Sequence, residues 1–175
     1  YLNNGVARAV DLVLNSLELK PENPSAGAFR VERAKLYVEE YPRTEADHQK
    51  PSGAMSGEVV NATLPWLSLS PLGRQIESFG LKARLMGALT RGPLVSSLED
   101  WRDGGGTIEV AKLDIQHGPL HIKTDGTIAL DGALQPIGAL TARIQGFFEA
   151  VDALKKIGVV KPRDAITAKM VLGVL

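Results

Sequence analysis

The stretch that decides the fold runs from Gly104 to Gly146 and reads GGGTIEVAKLDIQHGPLHIKTDGTIALDGALQPIGALTARIQG. Glycine-rich turns divide it into three segments in which apolar and polar residues alternate. In the middle segment Ile122 and Ile128 have one parity, and Lys123 has the other. Alternation with a period of two places the two sets on opposite faces of a strand. The stretch therefore predicts a three-stranded antiparallel meander with one dry face and one wet face.

The alternation changes phase at two places in the chain. In the first strand of the meander, the apolar positions have one parity up to Val110 and the other from Leu113. A strand cannot change phase without an extra residue, so we expect a β-bulge near Lys112. The segment 28–41 also alternates and changes phase, which predicts another bulge near Glu32 and Arg33.

Other segments have the spacing of amphipathic helices. A first helix is predicted to run to about Ser16, and a second to cover Leu94–Trp101 just after a proline. Two more are predicted at the C-terminal end, one from Phe147 to a glycine cap at Gly158 and one after Pro162. The first helix would place on one face Val6, Ala9, Val10, Val13, Leu14 and Leu17.

These elements predict an α+β fold. Its centre is a curved, mostly antiparallel β-sheet of about six or more strands, with N-terminal and C-terminal amphipathic helices packed on it. We expect a single domain over 1–175. It divides into a less regular helix and strand part (1–100), the β-meander (101–146) and a helical end (147–175). The chain opens inside a helical pattern and stops on an apolar face, so we expect a fragment of a longer protein.

The composition excludes several classes of protein. Lysine plus arginine and aspartate plus glutamate number 20 each, which argues against a nucleic-acid binder and gives no polybasic membrane patch. The chain has no cysteine, which excludes disulfides, cysteine-ligated zinc and thiol catalysis. Absence of cysteine also favours an oxidising envelope compartment over the cytosol. No apolar run reaches the roughly 20 residues of a membrane-spanning helix.

Two motifs resemble reactive sites but have a simpler structural interpretation. His117 and His121 have the spacing of a helical zinc pair, yet Gly118 and Pro119 between them forbid a helix. The run 104–106 resembles a phosphate-binding loop, but such a loop follows a strand and precedes a helix, and here the order is reversed. We therefore interpret the glycines as a helix-to-strand turn that requires positive φ.

Serine and aspartate positions give no catalytic set either. No serine lies in a nucleophile elbow; the positions considered are Ser68, Ser70, Ser96 and Ser97. Asp125 and Asp131 could imitate paired carboxylates, but with Lys123 they fit a solvated face of one strand. The sequence predicts no catalytic residue, no metal site and no cofactor.

Aromatic and apolar residues offer the remaining candidates. Trp66 lies between two prolines, in a segment from Leu64 to Leu72 that either lines a groove or plugs the core. Trp101 is either an exposed anchor for a partner or a residue that closes the edge of the sheet. On the groove interpretation, an apolar ligand site would be lined by Leu64, Trp66, Leu67, Phe79 and Leu81.

Four segments carry a family resemblance: Trp101-Arg102-Asp103-Gly104-Gly105-Gly106-Thr107-Ile108, His117-Gly118-Pro119-Leu120, Gly126-Thr127-Ile128-Ala129-Leu130-Asp131 and Gly138-Ala139-Leu140. In them the chain resembles the alphaproteobacterial family called domain of unknown function 2125. The strand end followed by a glycine-rich turn is also similar to the C-terminal sheets of AsmA-like envelope proteins. The resemblance implies a periplasmic protein, anchored to the inner membrane by a segment absent from this chain, and an open β-groove that accommodates lipid.

Three functional hypotheses follow. The first is a non-catalytic periplasmic protein that acts through binding surfaces in envelope maintenance or in an assembly, with an envelope protein as partner. The second is a carrier of lipid or another hydrophobic ligand, which requires an apolar cleft of roughly 300 Å³ or more. The third, disfavoured, is an enzyme that gathers distant residues such as His48, His117 and His121.

Overall fold

The computed structural model describes residues 2–3, 6–22, 27–41, 50–90 and 92–158. Most of these residues are in strands, with two short α-helices and one 3-10 helix. The elements in chain order are β1 (Leu2–Asn3), β2 (Val6–Ala7), β3 (Ala9–Leu19), β4 (Phe29–Glu40), β5 (Pro51–Thr63), the 3-10 helix (Pro65–Leu69), β6 (Gln75–Met86), α1 (Leu94–Asp103), β7 (Thr107–His117), β8 (Leu120–Leu130), β9 (Pro136–Gln145) and α2 (Phe147–Lys156).

Seven strands, β3 to β9, form one open sheet in which each strand pairs with the next strand along the chain. Every pairing is antiparallel. The two-residue strands β1 and β2 pair separately with each other. The prediction of an antiparallel meander is confirmed for β7, β8 and β9, and the same arrangement continues through the N-terminal half of the sheet.

The bulge predicted near Lys112 is confirmed. Lys82 pairs with Lys112 and Ala83 pairs with Val110, so Ala111 is an extra residue on β7. The ladder to β8 shifts between Val110 and Leu113. The extra residue lets apolar side chains of different sequence parity occupy one face.

The bulge predicted near Glu32 is wrong. The register of β4 is continuous with both of its neighbours, and no residue is inserted. The irregularity lies in the neighbouring strands instead. Ser16 of β3 and Asn61 of β5 both have positive φ, 57° and 52°, and the register places both opposite Glu32. The Asn61 side-chain amide donates a hydrogen bond to the Glu32 carboxylate.

The predicted N-terminal helix is also wrong, because Ala9–Leu19 is strand β3. It pairs with β4 from Ala9 opposite Glu39 to Leu19 opposite Phe29. Its apolar residues fit helical spacing and strand alternation equally well. The long ladder to β4 satisfies the backbone groups of β3 and decides between the two.

Helix α1 lies at the end of the sheet where β6 stops and β7 begins, and it matches the predicted helix. Trp101 is 4 % exposed, and its indole nitrogen donates to the carbonyl of Met86 at 2.8 Å. Gly106 lies directly against the indole ring, where a Cβ atom would overlap it. Gly105, in the turn, has φ +76°, as predicted for this helix-to-strand connection.

Helix α2 matches the helix predicted from Phe147, and it buries Ala150 and Val151. The helix predicted after Pro162 lies outside the described residues. The expected layer of terminal helices over the sheet is not confirmed, because large apolar side chains of β3, β4, β5 and β9 remain exposed. Neither described helix has the length and hydrophobicity needed to cross a membrane.

Candidate functional site

The register of the ladder assigns side chains to the two faces of the sheet, because residues directly opposite each other across a pair point to the same face. Three adjacent rows cross all seven strands on one side, which we call the apolar face. The rows are Val10-Val38-Met55-Ala83-Val110-Gly126-Leu140, Leu12-Leu36-Gly57-Leu81-Leu113-Thr124-Ala142 and Leu14-Ala34-Val59-Phe79-Ile115-Ile122-Ile144. Thr124 carries the only polar side chain in these three rows.

Much of this apolar face is open to solvent among the described residues. Val10 is 42 % exposed, Leu12 is 56 % exposed and Leu140 is 54 % exposed. The exposed positions fall in two groups, one on β3 to β5 and one on β9, because Ala83, Val110 and Thr124 between them are buried. Exposed apolar patches on soluble proteins commonly mark sites of ligand or partner binding. The large apolar residues of the three rows that are exposed are Val10, Leu12, Leu36, Val38, Met55, Leu140 and Ile144.

A groove of about 360 Å³ lies on this side of the sheet, across β4 to β7 near the end that carries α1. Its apolar lining comes from Val38, Met55, Ala83, Leu85 and Ile108, and Leu89 contributes from the connection that follows β6. Charged residues line it too: Glu39, Glu40 and Arg84. The side chain of Arg84 is engaged by an ion pair with Glu109 at 2.9 Å. The volume falls within the range of small-molecule sites in proteins.

The five residues predicted to line an apolar ligand site occupy two different places. Phe79 and Leu81 lie on the apolar face, in rows next to the groove. Trp66 is in the 3-10 helix and is 72 % exposed, whereas Leu64 and Leu67 are half-buried beside it. None of the five is among the residues that line the 360 Å³ groove.

Sequence reasoning missed the residues that do line the groove, although their signal was present. Val38, Met55, Ala83 and Ile108 come from four strands, and each has the parity that faces the apolar side of its strand. Parity assigns a residue to a face. It does not say which strands of a long meander lie side by side at one end.

The opposite side of the sheet, which we call the polar face, carries charged and polar rows. One of them is Val13-Lys35-Glu58-Gly80-Asp114-Lys123-Arg143. Asp114 accepts a hydrogen bond from the His121 ring at 2.7 Å and forms an ion pair with Lys112 at 3.2 Å. The hydrogen bond from His121, followed by that from Lys112, holds the pKa of Asp114 below its ordinary value.

In the described sheet, the row of His121 places no nucleophile next to its ring, because its neighbours there are Gln116 and Gln145. Ser78 shares a row with His121, but Gln116 lies between them. Strands are spaced by about 4.8 Å, so the two positions are about 10 Å apart, beyond the reach of proton transfer. His117 ends β7 and its ring forms a hydrogen bond with the carbonyl of Gly73 at 3.0 Å. His48 lies outside the described residues.

The remaining candidates have structural roles. Asp131 follows β8, and its carboxylate accepts hydrogen bonds from the backbone of Ala133 and Gln135. It therefore builds the turn into β9 and does not share a strand face with the exposed Asp125. Ser96 donates to the carbonyl of Pro93, and the Ser70 hydroxyl accepts a hydrogen bond from a backbone amide. Within the described ranges, no three histidine or acidic side chains are grouped to hold a metal ion.

Comparison with known protein families gives a match over nearly the whole chain. The model of a family described as "Uncharacterized protein conserved in bacteria (DUF2125)" matches residues 2–175, which is nearly the whole chain. No curated protein matches this chain. No solved structure matches it either.

Proposed function

The chain belongs to the family of uncharacterized bacterial proteins DUF2125, and we propose a function for it from the surface of the sheet. We propose that the protein is a non-catalytic binding protein of the cell envelope. It takes the hydrocarbon chain of an amphiphile, such as a lipid acyl chain, along the apolar face. The observation that carries this proposal is the exposed apolar face with its 360 Å³ groove.

Exposed hydrocarbon on this scale favours an apolar ligand. Each square ångström of apolar surface removed from water contributes about 25 cal/mol. Val38 and Met55 are 41 % and 39 % exposed, and both line the groove. A hydrocarbon chain of the ligand that lies on these two side chains removes their apolar surface from water. The resulting free energy favours binding and requires no change in the hydrogen bonds between the strands.

The chemistry of the three rows favours hydrocarbon over a polar ligand. Thr124 is the only polar side chain in them, and its hydroxyl already donates to the carbonyl of Thr141 at 2.7 Å. Among the described residues no buried side-chain nitrogen or oxygen lacks a hydrogen-bond partner. The three rows therefore offer a ligand apolar contacts but no free polar group. The polar end of an amphiphile would lie at the edge of the apolar face or in solvent.

The envelope setting rests on the sequence. The absence of cysteine suits an oxidising compartment. We propose the lipid-accommodating surface in keeping with the AsmA-like pattern of strand ends and glycine turns in the sequence of the meander.

Binding of a fluorescent fatty acid tests the proposal. We would titrate the full chain with cis-parinaric acid and compare Met55→Glu with Ser56→Glu. The two residues are neighbours in β5 but point to opposite faces. A carboxylate at Met55 enters the groove, so affinity should fall at least about tenfold, which corresponds to about 1.4 kcal/mol. Ser56 lies opposite Lys82, so its variant should bind like the unmodified chain.

Unfolding curves of both variants serve as the control for folding. Absence of saturable binding by the unmodified chain would overturn the proposal, as would equal loss of binding in both variants. In the first case the apolar face would be left to the alternative hypothesis, in which a protein partner covers it within an envelope assembly.

A further inference from the structure

Among the residues that the structure describes, the last strand of the sheet forms an exposed edge. All ten residues of β9, Pro136 to Gln145, are exposed, and β9 pairs with β8 on one side. Its register with β8 has no shift over that whole length. Exposed edges recruit other strands unless they are blunted by charges, proline, bulges or short length. After its first residue β9 contains no proline, and it carries one charge, on Arg143.

The opposite edge of the sheet differs. Strand β3 is interrupted at Ser16, which has φ +57°, and it carries Asp11 and Glu18. Glu18 is engaged by Arg30 at 3.0 Å. Irregularity and charge are the devices by which natural sheets prevent pairing at an edge. The two edges are therefore not equivalent, and β9 is the one suited to strand addition.

Hydrogen-bond direction identifies the groups that β9 presents. The carbonyl of Thr141 accepts a hydrogen bond from Thr124 of β8, so it points towards β8. In an antiparallel strand the N–H and C=O of one residue point the same way, and the direction alternates along the strand. Leu140 and Ala142 therefore direct their N–H and C=O groups outward, as do Gly138 and Ile144.

We infer that β9 pairs with β9 of a second copy of this chain, antiparallel, about a two-fold axis at Thr141. This register places Ala142 opposite Leu140 and Gly138 opposite Ile144. Arg143 meets Ala139, so no like charges face each other. The axis is perpendicular to the sheet, so the apolar faces of both copies lie on the same side and become continuous. Such isologous pairing is the commonest form of self-association.

The absence of cysteine from the natural sequence allows a direct test in the full chain. With the axis at Thr141, the two copies of that residue are directly opposite, with Cβ atoms about 5 Å apart. A Thr141→Cys variant should form a disulfide-linked dimer under mild oxidation. Arg143→Cys, on the same face, is the matched control. Its two copies would be offset by four residues, about 13 Å, and should not crosslink.

A second variant tests the outward hydrogen bonds. Ala142→Pro removes an N–H that faces solvent in the isolated chain, a position where edge strands tolerate proline. Ala142→Ser keeps that N–H. We expect sedimentation equilibrium to show a dimer for the unmodified chain and for Ala142→Ser, and a monomer for Ala142→Pro.

A monomer at all concentrations of the unmodified chain would overturn the inference. So would equal crosslinking of Thr141→Cys and Arg143→Cys, or a dimer that persists in a folded Ala142→Pro variant. If Ala142→Pro does not fold, the two cysteine variants still decide the question. Fatty-acid binding is a separate measurement, so either idea can fail without the other.

Discussion

The same strands form two faces that differ in how far their side chains find partners within the protein. On the polar face Asp114 is satisfied within the protein by His121 and Lys112. On the apolar face the exposed side chains of Leu12 and Leu140 have nothing over them in the part of the chain that the structure describes. A half-buried antiparallel sheet normally hides its apolar face. The difference teaches that the polar face is complete by itself, whereas the apolar face is suited to binding.

The backbone ladder and the ends of the sheet therefore hold this fold together more than a covered core does. The buried apolar residues of the described chain lie in several places: Trp101 and Met86 at one end of the sheet, Ala150 and Val151 in α2, Ala83 and Val110 in β6 and β7, and Val31 and Ala62 in β4 and β5. Substitutions that disturb the ladder should be costly, and substitutions of exposed residues on either face should be mild.

The largest expected effect comes from Gly126, where the apolar face is tightest. Gly126 has φ +151°, and an added Cβ atom would overlap the carbonyl of Ala139 and press on Leu140. Backbone strain and overlap together predict that Gly126→Ala lowers the free energy of unfolding by about 3 kcal/mol. Urea denaturation measures this. Gly132→Ala is the control, because a methyl group there meets open space. Equal midpoints for the two variants would contradict the prediction.

A smaller effect is expected at Thr124, the polar side chain buried in the apolar face. Thr124→Val keeps the shape but removes the hydrogen bond to Thr141, so we expect a loss of about 1 kcal/mol. Thr127→Val, at an exposed position on the polar face, should change stability by less than about 0.5 kcal/mol. Thermal unfolding of both variants checks this. A more stable Thr124→Val protein would show that the hydroxyl has no stabilising role.

The smallest effect is expected on the polar face and should depend on pH. The lowered pKa of Asp114 means that its charged form is favoured by folding. Its contribution is present above the ordinary pKa of about 3.8 and is lost as the pH falls through the lowered value. Asp114→Asn should therefore destabilise the protein by about 0.5–1 kcal/mol at neutral pH. At acidic pH the difference should disappear. Asp125→Asn, exposed on the same strand pair, is the control, and a pH-independent difference for Asp114→Asn would refute the assignment.

The two halves of the chain also differ in how far their sequence predicts their structure. In β7 to β9, glycine turns and one-sided alternation agree with each other, and the change of phase at Lys112 correctly located the bulge. In β3, the positions of Val10 and Leu14 fit both helical and strand periods. Local pattern cannot decide such a case, because the partner strand β4 supplies the hydrogen bonds that settle it.

The irregularity opposite Glu32 was unpredictable for a related reason. The alternation of apolar residues changes phase in the sequence of β4. The residues with positive φ, however, are Ser16 and Asn61, which lie in the two neighbouring strands. Non-glycine residues adopt that conformation rarely. The groove could not be predicted from local sequence either. Val38 and Ile108 line it together only because β4, β5, β6 and β7 lie side by side in the sheet. Each face could be predicted from parity, but not the place on it where a groove forms.

Every strand of the sheet pairs with its neighbours in sequence, from β3 to β9 without a crossover. Such a chain is built like a repeat protein, in which each hairpin adds its own stability and one interface term. The connections range from residues 118–119 between β7 and β8 to residues 87–106 between β6 and β7, which include α1. The entropic cost of closing a loop rises only slowly with its length, so assembly can start at the shortest turns and spread in both directions. The number of strands in the sheet can then change during evolution. A hairpin gained or lost at an edge would widen or narrow the surface without rebuilding what lies between.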